Sequence, residues 1–293
     1  MNRLSALLLA LLMAFAASAF AAESLLIFAG AATVPPTTDA AKAFEKKTGV
    51  KVDVVFGGSG YVLSQMKLAK QGDLYFPGSS DYMELAKREG YVLPETEKII
   101  VYAVPAITVQ KGNPHHIQGL KDLLKPGLRV AIANPEGVCI GAYAVEIFEK
   151  ELTNAEREQL KANIKNYTGS CEQTATAISL KLADAVIGWR VFQYWDPERI
   201  ETVKLPAAQI QRIGYIPIAI SKFSKNRELA QRFIDFVTGP EGQAIYAKYS
   251  YFADPESAFK WLGAVKPVGG EYVVPQEWLN LRTTVDPKKV VKP

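Results

Sequence analysis

The sequence predicts an α/β fold with two lobes, each a mostly parallel sheet flanked by helices. Short apolar segments alternate with amphipathic helical segments, an order typical of right-handed βαβ units. This order occurs twice, and two extended apolar stretches, 101–109 and 213–220, join the two series. Two crossings indicate a discontinuous first lobe of residues 22–103 and 214–293 around a second lobe of residues 104–213.

The first series alternates strands and helices without interruption. Its strands are short and apolar, its helices carry apolar residues on one face, and Gly49 and Gly90 end two of those helices. We expect strands at 24–28, 50–56 and 74–76, and helices at 37–47, 61–70 and 80–88.

The second series repeats the alternation after the first extended stretch. We expect strands at 128–133 and 185–189, helices at 141–152, 154–164 and 172–183, and, beyond the second stretch, helices at 227–238 and 241–249. Residues after Phe252 are rich in Pro and Gly, and we expect them to pack on the first lobe.

The N-terminus has the pattern of a secretory signal. Arg3 precedes an uncharged apolar run at 7–17, and small residues ending in Ala21 provide a cleavage site. A membrane anchor is the alternative, but an anchor needs about 20 apolar residues. No cysteine lies near the cleavage site to accept a lipid. The pattern therefore predicts a periplasmic protein with no membrane insertion after cleavage near Ala21.

Composition and charge narrow the classes of partner. The chain is 48% hydrophobic and 22% charged, as in ordinary globular proteins, and its formal charge is +4 over 293 residues. This excess is too small to indicate a nucleic acid partner. The enzyme motifs G-x-S-x-G, H-E-x-x-H and Walker A are missing from the sequence. A periplasmic thiol enzyme using Cys139, with His115 or His116 as base, remains a remote alternative.

Two cysteines, Cys139 and Cys171, are the only ones in the chain. An even, minimal count in an exported protein favours a disulfide, which would stabilise the fold by about 3–4 kcal/mol in the chain-entropy model. Two buried thiols are one alternative. A metal site with His115 and His116 is another, although this spacing matches no zinc pattern.

Three small, neutral loops stand at predicted helix starts in both lobes, and a fourth loop likewise opens a helix. Helix N-termini present unpaired N–H donors, so several of them converging on one cleft would hold an anion without any lysine or arginine. A site made only of donors favours a fully deprotonated oxyanion. A glycine turn with a capping hydroxyl explains any single loop equally well. The loops are residues 29–33, 57–60, 138–141 and 169–174, with hydroxyls at Thr33 and Ser59.

Three charged residues lie near these loops. Arg190 ends the strand at 185–189 and is either an anion contact or a surface arginine. Glu136 and Glu172 are expected to face solvent or to cap N–H groups.

The order of these segments resembles the periplasmic molybdate-binding proteins of ABC importers and their archaeal molybdate and tungstate relatives. The resemblance spans residues 26–252. It is carried by Phe28-Ala-Gly-Ala-Ala-Thr33, Phe56-Gly-Gly-Ser59, Asn134-Pro-Glu-Gly-Val-Cys-Ile-Gly141, Asp184-Ala-Val-Ile-Gly188 and Gly239-Pro240. It implies the type II periplasmic binding protein fold, a monomer that closes around a small inorganic oxyanion, and ABC transporter permease subunits as partners.

The resemblance also implies site residues. Ser59 stands at a serine that donates its hydroxyl and N–H to the oxyanion, while Ala32 replaces a second serine whose hydroxyl Thr33 would supply. Ile140 and Gln173 fall at backbone N–H donors. Val191 stands where the bacterial proteins usually carry a binding tyrosine, so Arg190 or Trp189 would take its place.

The expected function is therefore the binding of a tetrahedral oxyanion, molybdate or tungstate, with no catalysis and no cofactor. The archaeal relatives bring two carboxylates to the metal, but the corresponding positions here are Gly137 or Val138 and Gly188, which disfavours octahedral coordination. The alternative is a binding protein of the same fold for sulfate, phosphate, a ferric ion, a small carboxylate or a sugar. Tyr246 and Tyr249, a helical pair that could suggest iron, are expected in the core.

Overall fold

The computed structural model describes residues 23–279, so the predicted signal sequence lies outside the described residues. Ten strands of this part of the chain form two five-stranded sheets. The first sheet, in the order β2-β1-β3-β10-β4, contains β1 (Ser24–Gly30), β2 (Lys51–Gly57), β3 (Leu74–Phe76), β4 (Lys98–Ala103) and β10 (Gly214–Ile220). The second, in the order β7-β6-β8-β5-β9, contains β5 (Pro105–Gln110), β6 (Val130–Ala133), β7 (Ile164–Thr168), β8 (Ala185–Trp189) and β9 (Ile200–Val203).

Helices cover both sheets. No helix within residues 23–279 is long and apolar enough to cross a membrane. The helices are α1 (Val34–Thr48), α2 (Ser59–Ala69), α3 (Ser80–Arg88), α4 (Cys139–Glu151), α5 (Asn154–Asn163), α6 (Cys171–Ser179), α7 (Arg227–Thr238), α8 (Pro240–Lys248), α9 (Pro255–Leu262) and α10 (Gln276–Leu279).

Each sheet is mixed, with one reversed strand. In the first sheet β1 pairs in parallel with β2 and β3, whereas β10 is antiparallel to both of its neighbours. In the second sheet β6 pairs in parallel with β7 and β8, whereas β5 is antiparallel to β8 and β9. Four strands of each sheet therefore run the same way. The predicted α/β class, with two sheets flanked by helices, is confirmed.

The chain passes between the sheets twice, once at Val104 and once between β9 and β10. We propose that each sheet with its helices forms one lobe, divided at these crossings. Helices α1 and α2 follow β1 and β2, and α4 and α6 follow β6 and β7, so their N-termini lie at the carboxyl ends of parallel strands. Ligands of α/β sheets bind at this edge.

Three local predictions needed revision. Helix α1 begins at Val34 rather than at residue 37, because Pro35 and Pro36 occupy its first turn, where the missing N–H groups are not needed. Thr33 is its N-cap residue. Strands β7 and β9 were not predicted. Both lie at the edge of their sheet and carry polar residues among the apolar ones, which weakens the strand pattern.

The C-terminal segment after α9 packs against both sheets' helices. Arg88 of α3 pairs with Glu271 at 3.0 Å, while the fully buried Trp278 packs on Phe148 of α4 with ring centroids 5.6 Å apart. The Trp278 indole donates to Glu149 at 2.7 Å. We expected this segment to pack on the first lobe alone, but it contacts both lobes.

Replacing Trp278 by alanine should lower the free energy of unfolding by about 3–5 kcal/mol, because it removes a large buried side chain and leaves a cavity. Denaturant unfolding followed by circular dichroism measures this. Val273→Ala is the matched control, since Val273 lies in the same segment and is 89% exposed, and it should change stability by less than about 0.5 kcal/mol. Equal effects of the two substitutions would contradict the described packing.

Candidate functional site

The two sheets' helices meet through backbone atoms at glycine residues. The Gly60 N–H at the start of α2 donates to the Gly137 carbonyl of the second lobe at 3.0 Å. A Cβ added to Gly58 would lie 2.6 Å from the Gly137 oxygen and 2.7 Å from the Gly169 oxygen. Only glycine at position 58 permits this approach. Loops predicted separately therefore lie side by side in this structure.

Gly78, which follows β3, is the point where residues from three loops converge. A Cβ placed on it would lie 2.6 Å from the Ala32 Cβ, 2.8 Å from the Cys139 Sγ and 3.5 Å from the Ser59 Oγ. All three residues are buried. Ala32 and Ser59 belong to the first lobe and Cys139 to the second, so the convergence lies between the lobes, as expected from the loop pattern.

Ser59 is held by two hydrogen bonds. Its Oγ accepts from the Gly78 N–H at 3.0 Å, and its carbonyl accepts from the Tyr75 hydroxyl at 3.0 Å. Burial raises the pKa of Tyr75 well above its ordinary value, which keeps that hydroxyl a neutral donor. Because the Ser59 oxygen accepts here, its own O–H proton can be donated to a ligand.

The predicted disulfide is absent. Cys139 and Cys171 are buried free thiols whose sulfurs lie 3.6 Å apart, whereas a bonded pair lies about 2.05 Å apart. Each is the first residue of its helix, α4 or α6. Burial and the neighbouring Cys139 raise the pKa of Cys171 well above its ordinary value, while the Ile140 N–H and the Trp189 indole act in the opposite direction. Both donors therefore lie close to this sulfur.

Two buried aromatic donors belong to the second lobe. The Trp189 indole lies close to the Cys171 sulfur and the Tyr143 hydroxyl close to Ser80, but neither donor reaches good hydrogen-bond geometry with a described residue, and both side chains are at most 1% exposed. Their rings stack edge to face with centroids 4.9 Å apart. An unpaired buried donor is costly. These two groups therefore indicate a place for an acceptor supplied from outside the chain.

Gln173 and Thr33 are engaged elsewhere. The Gln173 N–H donates to the Ser170 Oγ at 3.1 Å, and the Gln173 side chain is exposed. The Thr33 hydroxyl accepts from Thr37 at 2.9 Å, and Thr37 also contacts the Tyr246 hydroxyl at 3.0 Å. The helix cap thus takes up the Gln173 N–H, whereas the buried Thr33 hydroxyl only accepts here and, like that of Ser59, keeps its own O–H proton.

Arg190 lies among aromatic rings rather than in the cleft. Its guanidinium donates to the Ser250 carbonyl and lies 4.2 Å from the Phe252 ring centroid. Burial lowers the pKa of Arg190. The guanidinium also donates to the Tyr194 hydroxyl at 3.3 Å, a contact that acts in the opposite direction. These contacts join the second lobe to residues that follow α8, and we omit Arg190 from the proposed ligand set.

The remaining polar candidates lie apart from the convergence at Gly78. Glu136 and Glu172 are exposed, and Val191 is buried in the short helix that follows β8. The His115 Nε2 lies 3.3 Å from Asp184. Within the described chain, no group of three or more His, Cys, Asp or Glu side chains could hold a metal ion.

Three residues of this cleft were missed or underrated in the sequence. They are Cys139, Tyr143 and Trp189. Cys139 and Tyr143 lie one turn apart on α4. Of the three, only Trp189 was predicted as an alternative ligand contact. The signal available was the position of Cys139 in a glycine-flanked helix start. Nothing local distinguishes Tyr143 from a core tyrosine, because its isolation from hydrogen-bond partners depends on tertiary packing.

Sequence comparison places the chain near known binding proteins. A family model described as bacterial extracellular solute-binding protein matches residues 25–252. A putative binding protein of Haemophilus influenzae is 27% identical over 80% of this chain and 90% of its own length. The molybdate-binding protein ModA of Rhodobacter capsulatus is 26% identical over 86% of this chain and 97% of its own length.

Solved structures share the fold. The periplasmic molybdate-binding protein of Azotobacter vinelandii superposes with a TM-score of 0.66 at 19% identity, over 78% of this chain and 98% of that one. The sulfate-binding protein SubI of Mycobacterium tuberculosis gives a TM-score of 0.70 at 19% identity, over 91% of this chain and 99% of that one. At this identity the likeness shows the fold alone, and the predicted type II fold is confirmed.

Replacing Ser170 by alanine should lower the free energy of unfolding by about 1 kcal/mol, because the Gln173 N–H loses its capping partner. Denaturant unfolding measures the change. Thr176→Ala, at an exposed position of the same helix, is the control and should stay within about 0.5 kcal/mol. An unchanged stability of the Ser170 variant would show that the Gln173 N–H is available to a ligand after all.

Proposed function

Because the chain belongs to the bacterial extracellular solute-binding proteins, we propose that it is a periplasmic receptor for a small tetrahedral oxyanion. The anion would bind between the two lobes near Gly78, and the closed receptor would present it to the permease of an ABC importer. Molybdate or tungstate is the ligand we favour, since several relatives bear molybdate in their names. Binding alone, without catalysis, accounts for the groups in the cleft.

The observation that carries this proposal is a buried set of neutral donors without partners. The Ser59 O–H lies at the convergence near Gly78, the Trp189 indole and the Ile140 N–H lie close to the Cys171 sulfur, and Tyr143 lies one turn after Cys139 on α4. Each of these groups can donate, and the two aromatic ones lack an acceptor among the described residues. A dianion with four oxygen acceptors would satisfy them together.

The buried guanidinium of Arg212 is already neutralised by carboxylates. The Arg212 guanidinium pairs with Asp81 of α3 at 3.0 Å and with Glu146 of α4 at 2.7 Å. Burial opposes its charge, but Tyr143 and the two carboxylates hold the pKa of Arg212 above its ordinary value. Its charge therefore joins the lobes rather than serving a ligand. This supports recognition of the anion by dipoles and hydroxyls.

Closure follows from the same geometry. In an open form the Gly60 to Gly137 hydrogen bond and the Arg212 bridge between Asp81 and Glu146 would separate. An anion that binds groups of both lobes favours the closed form by its differential affinity for the two states.

Sulfate is the second candidate. The sulfate-binding protein of Mycobacterium tuberculosis shares the fold over most of both chains, and sulfate offers the same four acceptors. The choice between sulfate and molybdate depends on the size of the closed cavity.

Calorimetry and thermal shift against molybdate, tungstate, sulfate, phosphate and thiosulfate test the proposed function. A bound anion at about 100 times its Kd should stabilise the protein by about 2.7 kcal/mol. Ser59→Ala and Trp189→Phe should each raise the Kd by roughly 5- to 100-fold, equivalent to about 1–3 kcal/mol for a lost donor.

Ser64→Ala is the matched control, because Ser64 is an exposed serine of the same helix α2 whose hydroxyl donates to a backbone carbonyl. Its Kd should equal that of the unchanged protein. Failure of every anion to bind the wild-type protein would refute the proposal. Binding of sulfate alone would retain the receptor and replace the ligand.

Gly58→Ala should weaken anion binding by at least tenfold, because in the closed form the added Cβ would collide with two carbonyl oxygens of the second lobe, while within its own lobe its nearest contact is the Tyr61 side chain. Calorimetry gives the Kd, and small-angle X-ray scattering with saturating anion gives the radius of gyration, which should stay larger than that of wild type. Gly119→Ala is the control, since nothing lies within 4 Å of its Cβ position. Wild-type affinity in the Gly58 variant would contradict this closed form.

A further inference from the structure

The two buried thiols contact each other at 3.6 Å, the length of an S–H···S hydrogen bond, and this separation is also compatible with two sulfurs bound to one shared atom. Metal–thiolate bonds are about 2.3 Å long. Two sulfurs 3.6 Å apart then subtend an angle of about 100° at an atom that both of them bind. A disulfide would bring the sulfurs to about 2.05 Å, and a linear two-coordinate ion would separate them by about 4.6 Å. The geometry suits a pyramidal or tetrahedral centre.

The number of protein ligands available distinguishes a zinc ion from a trivalent metalloid. Structural zinc is almost always held by four ligands of the Cys, His, Asp or Glu type. Within residues 23–279 no group of three or more such side chains could hold a metal ion. A trivalent metalloid needs only three bonds, two to sulfur and one to oxygen. The two cysteines alone therefore complete its protein ligands.

The surroundings of the thiols suit a neutral hydroxide. The fully buried Trp189 indole lies close enough to Cys171 to lower the pKa of its thiol, yet its Nε1 does not reach good hydrogen-bond geometry with any described residue. It can donate to the oxygen that remains on the metalloid. Arg212 is paired with two carboxylates, so its positive charge does not favour a charged ligand over a neutral one.

We propose that Cys139 and Cys171 form a dithiol site for a trivalent metalloid hydroxide of the arsenite type. As(OH)₃ reacts with the two thiols to give a cyclic (RS)₂As–OH and two water molecules. Two As–O and two S–H bonds break, two As–S and two O–H bonds form, and arsenic stays trivalent, so no oxidant or reductant is needed. The site shares the cleft of the proposed function, and it rests on that function only for access to this cleft.

Intact-protein mass spectrometry of the reduced protein with sodium arsenite tests the proposal. Thiol titration of the unfolded protein first establishes two free thiols. We expect one adduct whose mass is that of AsOH less two hydrogens. Peptide mapping after alkylation should show Cys139 and Cys171 protected together. Cys139→Ser and Cys171→Ser should each weaken arsenite binding by roughly 100-fold or more, because each loses the second, intramolecular attachment.

Ser59→Ala separates this inference from the oxyanion site. It should weaken molybdate binding and leave the arsenic adduct in place, since Ser59 supplies no sulfur. Molybdate binding with no arsenic adduct on the reduced wild type would overturn the dithiol site and leave the proposed receptor standing. An adduct that persists in both cysteine variants, tighter binding of Zn²⁺ than of arsenite, or a disulfide that cannot be reduced in the folded protein would also overturn it.

Discussion

Backbone contact between the lobes at Gly58, Gly60 and Gly137 is the constraint on which the rest of the cleft depends. A side chain at Gly58 would meet two carbonyl oxygens within 2.7 Å and hold the lobes apart. Because these residues have no Cβ, the helix starts of both lobes approach closely enough to share one buried point at Gly78. In the proposed receptor, a ligand at Gly78 would therefore touch both lobes only while these glycines are in contact.

Neutral donors dominate this cleft because the buried charges are used for structure. Arg212 connects Asp81 and Glu146 across the lobes, and Arg190 is held by the Ser250 carbonyl and an aromatic cluster. A desolvated charge is costly unless it is paired, as that of Arg212 is, whereas Arg190 contacts a carbonyl, the Tyr194 hydroxyl and aromatic rings. What remains for a ligand is a set of hydroxyl, indole and backbone donors, together with two thiols.

Much of the fold could be predicted from the sequence. The alternation of apolar strands and helices located β1, β3 and β8 closely, and the two extended stretches located both crossings between the sheets. Edge strands β7 and β9 could not be predicted, because half-exposed strands carry little hydrophobic pattern. The predicted start of α1 is too late, because Pro35 and Pro36 look like a chain break in sequence although proline is compatible with the first turn of a helix.

The sequence by itself determined the order of elements, the small neutral loops and the export pattern at the N-terminus, because these depend on local composition and periodicity. Only the tertiary structure decided which donors are free. Gln173 looks in sequence like an open helix start, but Ser170 caps it at 3.1 Å. Cys139 and Cys171 lie 32 residues apart in sequence, yet their sulfurs lie 3.6 Å apart and unbonded, a distance set by the packing of two helices on one sheet.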